Sequence, residues 1–325
     1  MNILVTGGAG FIGSNFVRMA LQNKFPNFEV TKLTVLDLLT YAGDKENLKP
    51  IQDDSRFEFV KGDIRDLNLA TKLMSNHEYV VHFAAESHVD RSIEGGSEFV
   101  STNVMGTQVL LDAARNSNIK KFLHVSTDEV YGSISEGSWP EDHPLLPNSP
   151  YSASKAGSDL LVRAYNRTHK LDTVITRCSN NYGHYQFPEK VMPLFITNIL
   201  EEKKVPLYGN GLNVRDWLHV DDHCQGVFKV LKGGRSGEIY NIGGGRELSN
   251  NEITKLILDE LGATSSSIEY VEDRKGHDFR YSVDWTKISH ELGYQPLVDF
   301  KTGLAETVQW YRDNRQWWEP LKNKS

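Results

Sequence analysis

The sequence predicts an α/β protein: a doubly wound parallel sheet in the first half, followed by a smaller, mixed C-terminal lobe that binds substrate. Three observations carry this. Six short β-branched runs alternate with amphipathic stretches between residues 2 and 178, and that alternation buries a parallel sheet beneath helices. A glycine-rich turn follows the first run and opens the first helical pattern. After about residue 180 the regular alternation stops.

In order, the expected strands are NILVTG (2–7), KLTVLD (32–37), FEFVKG (57–62), YVVHFAA (79–85), KFLHVST (121–127) and DTVITRC (172–178). SNFVRMALQN, DLNLATKLMS, VMGTQVLLDAARN and AGSDLLVRAYNRTHK read as the helices between them, joined by right-handed crossovers. Beyond 180, NNYGHYQFPEK reads as a loop, VMPLFITNILEEK as a helix, VPLYGNG and VRDWLHV as short strands, and DDHCQGVFKVLKG as a helix. EIYNIG (238–243) is a strand able to rejoin the main sheet, and NEITKLILDELG is an amphipathic helix with a glycine stop. WYRDNRQWWEP (310–320) reads as a packed terminal helix. The expected division is a nucleotide-binding domain over 1–179, joined by about 214–243, with 180–325 mainly a substrate lobe.

With 325 residues, 39% hydrophobic and 24% charged, the composition is globular, and a net charge of −7 leaves no basic excess for nucleic acid. No apolar run reaches the ~18 residues of a membrane span. MNILVTGG enters a strand without a charged leader. Cys178 and Cys224 have no metal-like spacing and build no disulfide framework, as expected of a reducing cytoplasm.

In TGGAGFIGS (6–14), Gly8, Gly10 and Gly13 match G-x-G-x-x-G, and Gly7, Gly10 and Gly13 equally match G-x-x-G-x-x-G. Such a loop lets backbone approach a pyrophosphate at a helix N-terminus, the Rossmann-type arrangement. Asp37 ends the second strand, where a carboxylate binds ribose hydroxyls and repels a 2′-phosphate, favouring NAD over NADP. Asp63, in GDI (62–64), is placed to meet the adenine amine.

Tyr151 and Lys155 of YSASK share one helical face. A lysine ammonium favours a phenolate, drawing a pKa of ~10 towards neutrality. The phenolate then takes a proton from a sugar hydroxyl while hydride leaves to nicotinamide. Thr127, at the end of the preceding strand, can hold the same hydroxyl. Next to it, STDEVYG (126–132) sets Asp128 beside Glu129. Neighbouring carboxyls separate their pKa values, which gives one acid and one base. His219 and His223 have the i, i+4 spacing of a zinc pair, but one ends a strand and the other starts a helix, so no metal is expected. Capping by Asp221 or Asp222 accounts for those acids.

GGAGFIG, AAESHVDRS, STDEVYG, YSASK, RCSNNYG, FPEK and RDWLHVDDH together resemble the extended short-chain dehydrogenase/reductase family, and within it the dTDP-glucose 4,6-dehydratases, nearly end to end. The tandem Asp-Glu marks the dehydratases, because the similar 4-epimerases carry small or apolar residues there. The resemblance implies NAD contacts from Gly7, Gly10, Phe11, Ile12, Gly13, Asp37, Leu38, Leu39, Thr40, Asp63, Ile64, Phe83, Ala84, Ala85, Thr102, Tyr151, Lys155 and Asn181. It implies contacts to dTDP-glucose from Ser87, Thr127, Asn180, Lys190, Val191, Pro206, Leu207, Tyr208, Arg215, Asn250, Asp273, Arg274 and His277. Arg215 suits a diphosphate. Two residues depart from the family pattern: Leu38, where a polar or basic residue is frequent, and Lys275, where DRPGH is usual. The implied reaction oxidises C4, eliminates water across C5 and C6, and reduces C6 with the recycled cofactor. In it Tyr151 takes the 4-hydroxyl proton, Glu129 is the C5 base and Asp128 the C6 acid. A UDP-glucose 4,6-dehydratase, a nucleotide-sugar 4-epimerase and a non-catalytic NAD sensor are the alternatives. The resemblance also implies a homodimer through a four-helix bundle of helices 98–116 and 151–169, whose apolar excess lies at Val109, Leu110, Leu111, Leu160, Leu161, Ala164 and Tyr165.

Overall fold

Along β1 (Asn2–Thr6) the side chains alternate: Ile3 and Val5 enter one apolar layer and Leu4 the other, as a strand covered on both faces requires. The computed structural model describes residues 1–322. The other strands are β2 (Lys32–Asp37), β3 (Phe57–Lys61), β4 (Tyr79–His82), β5 (Lys121–Thr127), β6 (Thr173–Cys178), β7 (Asn180–Tyr182), β8 (Val205–Tyr208), β9 (Val214–His219), β10 (Ile239–Ile242), β11 (Glu247–Ser249) and β12 (Ile268–Val271).

Seven of them form one parallel sheet in the order β3-β2-β1-β4-β5-β6-β10. The order reverses at β1, which pairs Ile3 with both Leu33 of β2 and Tyr79 of β4. A crevice opens beyond the strand ends at such a switch point. EIYNIG does rejoin the sheet, with Ile239 against Ile175.

The helices Phe11–Leu21 and Val220–Gly233 cover one face through Phe16, Val17, Val227 and Phe228. Gly106–Arg115 and Pro150–His169 cover the other through Leu110, Leu111 and Val162. Each such side chain contributes roughly 1.5–3 kcal/mol by leaving water. The second, smaller assembly joins a three-stranded sheet (β11-β9-β7), the β8–β12 pair and the helices Val191–Leu200, Asn250–Leu261 and Phe300–Asp313 around a separate apolar cluster. β9 lies in this small sheet, whereas the helix after it and β10 return to the large one, joined there by Ile288 and Tyr294.

Four local expectations are corrected. β4 stops at His82: Phe83 N still bonds Thr6 O, but Ala84 and Ala85 leave the ladder to line the crevice. The segment read as a loop after residue 179 holds β7, paired to β9. The terminal helix breaks at Asn314 into Phe300–Asp313 and Arg315–Lys322, where the Asn314 side chain bonds Trp310 O. On the two long helices, Leu110, Leu111 and Tyr165 fill the core, whereas the expected Leu160 and Ala164 do face outward, together with Val100 and Met105; Val100, Met105 and Leu160 are exposed by 52, 58 and 57%.

Candidate active site

The crevice is built first by glycines. Gly7 has φ +70, and a Cβ there would lie 2.5 Å from Ala84 N; one on Gly13 would lie 2.3 Å from Gly7 O. The first helix and the β4 loop therefore close on each other only without side chains at these positions. A Cβ on Gly10, the N-cap of that helix, would meet only Gly7 O, at 3.4 Å, so bare helix N-terminus faces the crevice, a cradle for a pyrophosphate. Asp37 accepts from Ala9 N at 2.9 Å and Leu39 N at 2.8 Å. Burial raises its carboxyl above the ordinary range, and these two amides work against that. Leu38 and Thr40 line the crevice. Leu39 does not: it adopts φ +58 and packs on the core instead. The Arg65 guanidinium grips Asp63 at 2.7 Å and holds it below its ordinary pKa. Phe11, Ile12, Ile64, Phe83, Thr102 and Asn181 complete the wall. Paired glycines, an open helix end and a strand-end acid fit a dinucleotide.

The reactive groups come from β5 and the helix Pro150–His169. Thr127 ends β5 and caps the short turn Asp128–Tyr131, its Oγ1 accepting from Glu129 N and donating to Asp128 Oδ1 at 3.2 Å. Asp128 is only 2% exposed, and its Oδ2 has no hydrogen-bond partner among the described residues. Burial first, then Glu129 and Asp216, push it well above the carboxylate range. Glu129 is also raised by burial, but Lys190, Arg215 and Arg274 all pull it back. Both members are thus raised, Asp128 the more strongly; Arg215 pulls on both, and Lys190 and Arg274 on Glu129.

The helix starts at a capping box between Ser149 and Ser152, with Pro150 in its first turn. Such caps contribute roughly 0.5–2 kcal/mol, and this one fixes Tyr151 and Lys155 at the mouth of β5. The expected drop in the Tyr151 pKa is not found. Burial, then Glu129, Cys178 and Asp128, raise the phenol well above 10. Lys155 Nζ donates instead to Val125 O at 2.8 Å, and burial brings it down to about 8. Helical spacing placed the two residues together but carried no information about that burial.

Ser87, Asn180, Lys190 and Val191 also line the crevice, Lys190 donating to Ser87 O at 2.8 Å. The remaining expected substrate residues lie outside its wall. Arg215 bonds Val214 O at 2.7 Å and Asp278 O at 2.9 Å and lies over the Tyr281 ring. Arg274 pairs with Asp90 at 2.6 Å and sits 5.3 Å from the Tyr208 ring. His277 pairs with Asp273 at 2.7 Å. Because Arg215 and Arg274 both act on Glu129, this group adjoins the reactive end. Pro206 and Leu207 lie in β8, with Leu207 buried in the lobe core. Asn250 opens its helix, its amide bonded to Asn213 O.

The helix after β9 is capped by His219, whose Nδ1 accepts from Asp221 N, rather than by the acids. Asp221 bonds Asn15, and Asp222 takes the Leu297 and Val298 amides. His223 bonds Asn181. Sequence reasoning missed Arg65, Glu86, Glu98, Cys178, Glu189 and Trp217 as crevice residues. Arg65 directly follows GDI, and Glu86 and Glu189 stand inside AAESHVDRS and FPEK. Trp217 reaches the wall through the small sheet, a contact no local pattern announces.

Residues 4–307 match the family model described as GDP-mannose 4,6 dehydratase. A dTDP-glucose 4,6-dehydratase of Streptomyces niveus is 58% identical over 99% of this chain and 96% of its own. The crystal structure of DesIV, a dTDP-glucose 4,6-dehydratase of Streptomyces venezuelae with NAD and dTDP bound, is 60% identical, with a TM-score of 0.98 over 99% of this chain and all of that one. A UDP-glucose 4-epimerase of Thermotoga maritima shares the fold, with a TM-score of 0.88 over 97% of this chain and 100% of its own, at 32% identity.

Proposed function

The chain belongs to the dTDP-glucose 4,6-dehydratases, within the wider family of the GDP-mannose 4,6-dehydratase model, and from that premise we propose how its residues divide the reaction. The protein is an NAD-dependent hydro-lyase that converts dTDP-D-glucose to dTDP-4-keto-6-deoxy-D-glucose and water. NAD, when bound, supplies a reversible hydride acceptor, so one site serves both the oxidation and the reduction. The glycine loop and Asp37 hold it.

Thr127 holds the sugar 4-hydroxyl, and Tyr151 takes its proton. The Lys155 ammonium is the cation that favours the ionised phenol against burial and two carboxyls. The new 4-keto group acidifies C5. Glu129 removes the C5 proton, and Asp128 donates to the C6 hydroxyl, which departs as water. Arg215 and Arg274 take the diphosphate. The single observation that carries this division is the contrast within the adjacent pair: Asp128 is buried with no hydrogen-bond partner on Oδ2 among the described residues, while Glu129 feels Lys190 and Arg274 besides the shared Arg215. The tandem acids favour dehydration over the 4-epimerase reading. Incubation with dTDP-glucose and UDP-glucose, followed by the alkali-induced absorbance of a 4-keto sugar, tests the reading. Signal from dTDP-glucose is expected; an epimerised sugar without it would contradict the account.

Residues 1–179 are read as the nucleotide domain and the rest as mainly the sugar-nucleotide lobe; of the expected joining segment 214–243, β9 lies in the small sheet and only the part from Val220 onward returns to the large one. The outward apolar side chains Val100, Met105 and Leu160 favour a homodimer through a four-helix bundle. A monomer in sedimentation at micromolar concentration would count against it. Two buried free thiols accord with a cytoplasmic setting, and no helix among the described residues is long and apolar enough to cross a membrane.

A further inference from the structure

Behind Tyr151 and Lys155 lies a buried ionic cluster that the reaction above does not use. Asp159 stands one helical turn past Lys155 on the same face and is 1% exposed. Its Oδ2 accepts from Arg177 Nε of β6 at 2.9 Å. Its Oδ1 faces His124 Nε2 of β5 at 3.4 Å, and neither atom has a hydrogen-bond partner among the described residues. Arg177, equally buried, lies 4.7 Å from the Tyr131 ring. Apolar residues of similar volume would serve stability as well as a buried ion pair does, so the charge invites a role beyond packing.

We propose that Asp159 is a positioning residue for the reaction, holding Lys155 as an ammonium inside a site whose burial opposes that charge. The inference rests on the reading of Lys155 given above. The ionisable groups around the lysine are Tyr151 and Asp159 on its own helix, Cys178 and Arg177 on β6, His124 on β5 and His82 on β4. Burial lowers Lys155 to about 8, and Asp159 is the strongest influence against it. Burial also pushes the Cys178 thiol up, so it stays neutral. The same effect takes His124 down to about 4 and His82 well below its ordinary value, so neither ring repels the ammonium at neutral pH. Asp159 itself is raised by burial, yet its neighbours, Arg177 foremost, outweigh that and leave it below its ordinary value. Removing the anion lowers Lys155 further, so the ammonium is lost at a lower pH.

The test is the pH profile of kcat for the full-length enzyme. Asp159→Asn is expected to move the alkaline limb down by about one pH unit or more, with the acid limb in place. A folded Asp159→Asn enzyme that loses activity uniformly, with its alkaline limb unmoved, overturns the proposal. Because this variant leaves Arg177 buried and unpaired, D159N/R177M replaces it if it does not fold, with the same expectation and the same overturning result. Lys155→Arg, whose guanidinium does not titrate in this range, is expected to abolish the limb. If the limb persists there, the reading of Lys155 itself has failed rather than the role of Asp159.

Discussion

Asp128→Asn is expected to lower turnover by about 10²–10⁴-fold, the usual reach of a general acid, while C4 oxidation survives. The amide keeps the shape of the side chain but has no acidic proton to give the leaving C6 hydroxyl. Asp128 acts from its protonated, neutral form, so the amide leaves the charge beside Glu129 and Tyr151 unchanged. The oxidation half-reaction, which uses Tyr151, should therefore hold. In a rapid-quench experiment the variant accumulates the 4-keto-glucose nucleotide with its C6 hydroxyl intact, whereas the wild type passes directly to the 6-deoxy product. Equal slowing of both steps would assign Asp128 to the fold rather than to the elimination.

Gly13→Ala is expected to cost the protein both stability and cofactor. The new Cβ would stand 2.3 Å from Gly7 O and 3.0 Å from Gly8 Cα, all backbone, so nothing flexible can yield. Overpacking of this kind costs about 1–3 kcal/mol, and the displaced loop no longer presents the helix end to a pyrophosphate. A cofactor reused in each turnover has no reason to leave, so the wild type should release NAD when denatured, and the variant should not. Gly10→Ala is the informative contrast. Its Cβ meets only Gly7 O, at 3.4 Å, so the denaturation midpoint of the NAD-free protein should hold while NAD retention falls. Retained NAD and an unchanged midpoint in Gly13→Ala would refute the loop geometry.

What the sequence made legible was contiguous. The glycine turn, the strand-end Asp37, the adjacent Asp128 and Glu129, and the Tyr151–Lys155 spacing are each read within a few residues, and the structure places all of them on one crevice. What it left hidden depends on convergence from distant segments. The cations that pull on Glu129 come from positions 190, 215 and 274, Arg215 pulling on Asp128 as well, and they are brought together by the small lobe. The raised Tyr151 phenol reflects burial that helical periodicity cannot report. Leu39 is implied as a cofactor contact by the resemblance alone, and its left-handed backbone turns its side chain to the core. Leu110 and Leu111 fill the core of the main sheet, and which side of a helix meets a sheet is set by distant strands, not by the helix's own sequence.

The central claim is that two neighbouring carboxyls act oppositely, Glu129 on C5 and Asp128 on C6. It is tested most directly by solvent deuterium at C5 of the enzyme-bound sugar in Asp128→Asn and Glu129→Gln, run in D₂O and quenched before product forms. The account predicts deuterium at C5 with Asp128→Asn, where the base is intact and the exit of water is blocked, and none with Glu129→Gln. Deuterium at C5 with Glu129→Gln, or its absence with Asp128→Asn, would contradict the assignment.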